Sequence, residues 1–146
     1  MNPEDYVSYP IALALKKHGF DWECDHYYCA FDDETDVRFW SIHPAQSQNG
    51  LRTPKDAVAA DAPTLAQAQK WLREEWGIHV NVCIYSDYST DADGKVCDRW
   101  DFWGFDLYAV SGGEMMEDGD GEYDTYESAL SAGIAAALEL IEKEGE

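Results

Sequence analysis

Three side chains that can bind a metal ion lie close together near the start of the sequence. Cys24, His26 and Cys29 fall within six residues, and His79 and Cys83 follow later. Zinc takes about four nitrogen or sulfur ligands, and the alternation of a strand would place Cys24 and His26 on one face. Cys29 would fall on the opposite face, and this spacing matches no compact zinc knuckle. A metal-dependent protein or enzyme that uses Cys24 and His26 with His79 and Cys83 is therefore an alternative hypothesis. Buried thiols beside a hydrogen-bonded histidine are the simpler interpretation.

Acidic residues are distributed unequally along the chain. Residues 74–146 contain 19 Asp and Glu against three Lys and Arg, and residues 1–73 contain 11 against seven, so the halves carry about −16 and −4. This charge disfavours direct binding to nucleic acid, because each phosphate contact needs a cation, and it disfavours an anionic membrane surface. A protein partner would need a basic surface. Solubility alone is the simpler explanation of the acidity.

Two groups of acids are candidates for the surface that meets such a partner. Acids alternate along a predicted strand at 21–25, which would set them about 6.6 Å apart on one face. The segment 114–127 contains acids and no base. Such a row could mimic nucleic acid in the cationic groove of a nuclease, repressor or restriction factor, and its binding would weaken with salt. The predicted partner-binding residues are Asp21, Glu23, Asp25, Glu114, Glu117, Asp118, Asp120 and Glu122.

The motifs of common enzyme classes do not occur in the sequence. There is no G-x-S-x-G, no H-E-x-x-H, no phosphate-binding glycine loop and no dinucleotide-binding fingerprint. With 30 acids and four histidines, some acid–base pair would arise in any fold, so composition alone does not indicate catalysis. We therefore predict no catalytic residue and no cofactor, and a protein that acts by binding.

Periodicity and capping residues predict the order α-β-β-α-β-β-α. The predicted helices combine an apolar stripe with a capping residue or a stop glycine, and they cover 8–19, 64–77 and 124–141. Thr64 with Gln67 is predicted to cap the second helix, and Asp124 with Glu127 the third. The predicted strands alternate or are continuously apolar, and they cover 20–27, 37–42, 78–85 and 99–110, with a short edge strand within 111–124. This order predicts a two-layer α+β domain with three helices and a mostly antiparallel sheet of four to five strands.

Length and composition predict one domain, 1–146. Residues 43–63 are rich in turn formers without a sustained period, which predicts a long loop or insertion. The acidic start does not resemble an export signal, and the apolar runs are too short to span a bilayer, so we expect a cytoplasmic protein with reduced thiols. Aromatic residues alternate over both faces of the strand at 99–110, so some rings should lie away from the helix layer. Core packing is the favoured explanation for most of them, and the 43–63 loop or a second subunit could cover the rest. A partly exposed aromatic face would imply a homodimer or a protein partner.

Three blocks of sequence are distinctive as a set. They are Ser8-Tyr9-Pro10-Ile11 to Tyr27-Tyr28, Ala62-Pro63-Thr64 to Gly77-Ile78-His79, and Tyr123-Asp124-Thr125 to Ile141. In these blocks the chain resembles uncharacterised small acidic proteins of gut Bacteroidetes and of their phages and mobile elements. The resemblance covers somewhat over half of the chain and brings no assigned activity. It implies a role in protein–protein contacts, in a setting where host and mobile element are in conflict.

Overall fold

The computed structural model describes residues 3–31, 36–41, 57–119 and 122–144. These residues form three α-helices and six β-strands, and the strands make two three-stranded antiparallel sheets. The predicted α+β class is confirmed, whereas the predicted sheet of four to five strands is matched only roughly. Contacts within the chain define two compact units, Met1–Trp71 with Leu138–Glu146, and Leu72–Ala137. The prediction of a single domain over 1–146 stays a prediction.

The first unit contains the sheet with strand order β2-β1-β3. Its strands are β1, His26–Phe31, β2, Asp36–Ser41, and β3, Ala57–Asp61, and its complete helix is α1, Tyr9–Lys17. Pro10 lies in the first turn of α1, where its missing N–H is not needed. The helix buries Ile11, Ala12 and Leu15. Gly19 follows with φ +92°, a conformation that glycine adopts without strain.

Two sequence predictions in this unit are corrected. The strand predicted over 20–27 begins only at His26. Phe20 and Cys24 are buried, but they lie in an irregular segment, so the alternation of apolar residues there does not reflect a strand. Part of the predicted loop 43–63 is β3, whose alanine-rich sequence has little strand propensity of its own and is held by pairing with β1. Residues 43–56 of that predicted loop lie outside the described residues.

The second unit contains the sheet with strand order β4-β5-β6. Its strands are β4, Ile78–Thr90, β5, Val96–Ala109, and β6, Met115–Asp118. The helices α2, Leu65–Glu75, and α3, Tyr126–Glu144, contribute residues to both units. β4 and β5 pair along their whole lengths, whereas β6 pairs with only a short part of β5. The strand predicted over 78–85 continues as β4 as far as Thr90.

Local hydrogen bonds set where the two longer helices begin. The Gln67 N–H donates to Thr64 Oγ1 at 3.1 Å, and the Thr64 N–H donates to Gln67 Oε1 at 2.9 Å, which confirms the predicted capping box of α2. At the start of α3 the Ser128 N–H donates to Thr125 Oγ1 at 3.0 Å. Thr125 is therefore the cap of α3, not the predicted Asp124.

Candidate interaction surface

The β4–β5 hairpin continues beyond the part of its sheet that is buried. β4 is mostly exposed from Ile84 onward, and β5 is exposed from Val96 to Asp101. We call residues 84–101 the arm. Large apolar side chains are exposed along it, among them Ile84 at 58%, Tyr88 at 59%, Val96 at 59% and Trp100 at 43%. Large apolar side chains gathered on one exposed element indicate a binding surface.

The tip of the arm is an ordered turn. Asp91 Oδ1 accepts hydrogen bonds from the N–H groups of Asp93, at 2.9 Å, and Lys95, at 3.0 Å. Gly94 has φ +81°, which a residue with a side chain rarely adopts. The Asp91 N–H also donates to the Lys95 carbonyl at 2.8 Å. These bonds close the hairpin and fix the register of its two strands.

The register gives the arm two chemically different faces, because directly opposed residues in an antiparallel pair share a face. One face contains the pairs Tyr85–Phe102, Asp87–Trp100 and Ser89–Asp98, and we call it the aromatic–acidic face. The opposite face contains Ile84–Trp103, Ser86–Asp101 and Tyr88–Arg99, and we call it the mixed face. The aromatic–acidic face has two carboxylates, Asp87 and Asp98, and no base. The mixed face contains one acid, Asp101, and one arginine, Arg99.

Side chains on the aromatic–acidic face are held in place by contacts within the hairpin. The Tyr85 and Phe102 rings stack with centroids 5.5 Å apart and planes at 21°. The Tyr85 ring also covers Gly104, where an added Cβ would lie 2.8 Å from Tyr85 Cε2. Asp87 Oδ1 accepts the N–H of Tyr88 at 2.8 Å. These side chains have therefore lost part of their rotamer freedom before a partner binds, which lowers the entropic cost of binding.

The first predicted acidic group does not form the expected row. Residues 21–25 are not in a strand, so their alternation does not project three carboxylates from one face. Asp21 and Glu23 are exposed. Asp25 is engaged within the protein, since Asp25 Oδ1 lies 2.9 Å from His26 Nδ1 and accepts a 3.4 Å hydrogen bond from the Tyr6 hydroxyl. The hydrogen bond with His26 is the main cause that lowers the pKa of Asp25.

The second predicted acidic group belongs to the same unit as the arm. Glu114, Glu117 and Glu122 are exposed. Asp118 stands at the end of β6, in register with Asp106 of β5. Asp120 lies outside the described residues. The structure thus places Glu114, Glu117, Asp118 and Glu122 in one compact unit with the arm, and the acids of 21–25 in the other.

The residues of the metal hypothesis gain no support as a site. Cys24 and His26 belong to the first unit, and His79 and Cys83 to the second. Burial, reinforced by the charges of Asp61 and Asp25, raises the pKa of Cys24 to about 12, which disfavours the thiolate that binds metals. Asn81 Nδ2 donates to Cys83 Sγ at 3.1 Å. Among the described residues, no three His, Cys, Asp or Glu side chains are grouped so that they could hold a metal ion.

A pocket of about 320 Å³ lies at the start of α2 in the first unit, lined by Glu23, Cys24, Asp25, Thr64 and Gln67. The polar groups around it already bond to one another. Thr64 and Gln67 form the capping box, and Gln67 Nε2 donates to the Glu23 carbonyl at 3.2 Å. The pocket is therefore explained by the way α2 begins, and the arm remains the stronger candidate surface.

Comparison with protein-family models, with curated proteins and with solved structures finds no match to this chain. Within the described ranges, no helix is long and apolar enough to cross a membrane. The function is therefore argued from the residues of the arm and from the charge of the chain.

Proposed function

We propose that this protein is a non-enzymatic binding domain that engages a basic protein partner through the arm. The observation that carries the proposal is the exposure of large apolar side chains along both strands of one ordered hairpin. Covering such side chains in a complex stabilises it by roughly 25 cal/mol per Å² of apolar surface removed from water. Aromatic residues are also the type that most often dominates the binding energy of an interface.

Charge defines the kind of partner. The arm contains five aspartates against one lysine and one arginine, and the whole chain carries −20. A basic partner would be attracted over a distance of about one Debye length, roughly 8 Å at physiological salt. A second copy of this chain would bring another charge of −20 to the interface, so repulsion disfavours a homodimer formed through the arm.

The narrower expectation of nucleic-acid mimicry remains part of the proposal for the acids at 114–122. What supports it is the exposure of Glu114, Glu117 and Glu122 in the same unit as the arm. The phage or mobile-element setting rests on the resemblance of the three sequence blocks. A partner in that setting would be a basic protein whose cationic surface normally meets nucleic acid.

Substitution of the arm tests the proposal. The arm variant Tyr88→Ser/Trp100→Ser removes one exposed aromatic side chain from each face. The control Val110→Ser/Met115→Ser removes apolar side chains that are 51% and 50% exposed outside the arm, without changing the charge. Each protein is used to capture partners from a bacterial extract, and each captured protein is then purified and titrated. We expect a basic partner to bind the wild type and the control, and to bind the arm variant at least about tenfold more weakly.

Salt separates this interaction from simple attraction to an acidic protein. Binding of the specific partner should weaken as salt rises from about 0.05 M to about 0.5 M, yet stay sensitive to the arm variant at both concentrations, because the apolar contacts are not screened. Equal binding by the arm variant and the control at every salt concentration would contradict the proposal.

A further inference from the structure

We infer that the aromatic–acidic face of the arm is a binding site for arginine side chains of the partner. This inference rests on the proposed function and makes it specific in two ways. It assigns binding to one face of the hairpin, and it names the chemical group that this face receives. The residues that form the site are Tyr85, Asp87, Asp98, Trp100 and Phe102.

Carboxylates and aromatic rings together provide what a guanidinium group needs. Asp87 stands directly across from Trp100, so the two Cβ atoms are about 5 Å apart on one face. The Tyr85–Phe102 stack is the next pair along the strands, about 6.8 Å away. A guanidinium can lie flat on a ring while its N–H groups donate to a carboxylate, which the compact ammonium of lysine does less well.

The arm's own cations do not fill this site. Arg99 is in register with Tyr88 and therefore lies on the mixed face. Lys95 belongs to the turn at the tip, and among the described residues no ion pair joins its ammonium group to Asp87 or Asp98. On the mixed face the carboxylate of Asp101 already accepts a hydrogen bond from Ser86 Oγ. The aromatic–acidic face is thus the side of the hairpin with unbalanced negative charge, and a cationic side chain would complete it.

Backbone geometry favours binding through side chains over addition of a strand. The Val110 N–H donates to the Gly77 carbonyl, so even-numbered residues of β4 direct their backbone groups away from β5. Tyr88 is one of these residues, and its N–H is bonded to the Asp87 carboxylate. A peptide that extended the sheet along this edge would have to displace that bond. Asp87 therefore hinders the pairing of another strand at this edge, and it also belongs to the aromatic–acidic face.

The test uses a capped arginine-rich peptide and its citrulline counterpart, which keeps the shape of arginine without the charge. Affinity is measured by calorimetry, and the indole N–H signal of Trp100, assigned by its loss in Trp100→Leu, is followed by NMR. We expect the arginine peptide to bind more tightly than the citrulline and lysine peptides and to shift the Trp100 signal. Trp100→Leu should weaken binding about fivefold, and Asp87→Asn/Asp98→Asn about tenfold.

Two matched variants control for the other face and for charge. Tyr88→Leu removes an exposed ring from the mixed face, and Glu74→Gln/Glu75→Gln removes two exposed acids outside the arm. Both should stay within about twofold of the wild type. If either control weakens the arginine peptide as much as its matched variant, the face assignment is wrong.

The natural partner separates failure of this inference from failure of the proposed function. If Tyr88→Leu loses the partner and Trp100→Leu keeps it, the arm still binds but through the mixed face, so only the inference fails. If neither single variant nor the double arm variant changes partner binding, both fail. Unfolding midpoints of all variants are compared first, and they should agree because the substituted side chains are exposed.

Discussion

At the scale of single residues, the first unit joins a carboxylate, an imidazole and a phenol into one cluster. Asp25 contacts His26 and Tyr6, and the Tyr6 and His26 rings are 4.6 Å apart. The His26 ring in turn stacks on Phe39 of β2 with centroids 4.8 Å apart. Residues that were candidates for a metal or for a partner are therefore used to connect β1 with the chain start. Their residue types indicated metal or partner binding, whereas their contacts within the protein indicate a role in stabilising the fold.

This cluster should make stability depend on pH. Because the folded pKa of Asp25 is lowered, mainly by its hydrogen bond with His26, the stabilisation is present above the unfolded value of about 3.9. It is lost as the pH falls through the lower folded value. Asp25→Asn should therefore be less stable than the wild type at neutral pH, and the difference should shrink below about pH 4. Urea unfolding from neutral to acid pH measures this difference.

Asp21→Asn is the matched control, because it removes a nearby acid that is exposed. Its difference from the wild type should be small at every pH. The role assigned to Asp25 would be wrong if Asp25→Asn and Asp21→Asn gave the same pH profile, since the profile would then reflect only the reduction of net charge.

At the scale of elements, α3 packs closely on the sheet of the second unit because it has no side chain at Gly133. A Cβ at this position would lie 2.5 Å from Val80 Cγ1 and 3.1 Å from the Phe105 ring. Val80 and Phe105 are themselves buried, so neither side chain has open space into which to move. Gly133 is thus explained by the close approach of α3 to the sheet.

Gly133→Ala should destabilise the protein even though alanine is the better helix former. The gain in helix propensity is about 1 kcal/mol, and the cost of overpacking a core is typically about 1–3 kcal/mol. We expect a net loss of unfolding free energy, measured by urea denaturation. Adding Val80→Ala should reduce the loss caused by Gly133→Ala, because it removes the nearest methyl group. An increase in stability by about 1 kcal/mol for Gly133→Ala alone would contradict this packing.

The sequence predicted the helices better than the strands, for reasons that are visible at particular residues. The capping box of Thr64 and Gln67 acts over three residues, so a local pattern predicts it correctly. β3 could not be predicted, because its alanines form a strand only through pairing with β1. The outer part of β4 was missed because Ser86, Asp87 and Ser89 are common in turns.

The arm itself was only partly predictable. Some aromatic residues of 99–110 were expected to lie away from the helix layer, and Trp100 is 43% exposed. Which of them share a face with acids depends on the register of β5 against β4, which is set by the turn at Asp91–Lys95 together with the register shift between Ser89 and Thr90. A pattern within one strand does not reveal its register with the next.

At the scale of the whole molecule, the negative charge of the chain opposes the self-association that its exposed aromatic residues would favour. A hairpin with several large apolar side chains exposed would favour association with its own copies. A charge of −20 on every copy opposes that association and leaves a basic partner as the favoured one. Under the proposed function, acids outside the arm that do not contact the partner would still attract it through the long-range field of the chain.

The central claim is that the arm is the surface that meets the partner, and hydrogen exchange on the complex tests it most directly. The exchange of each backbone amide is measured for the free protein and for the protein bound to its captured partner. We predict slower exchange on binding at 84–90 and 96–101, because a bound partner excludes water from the exposed strands of the arm. Protection confined to 114–122 or to 21–25, with unchanged exchange along the arm, would contradict the claim.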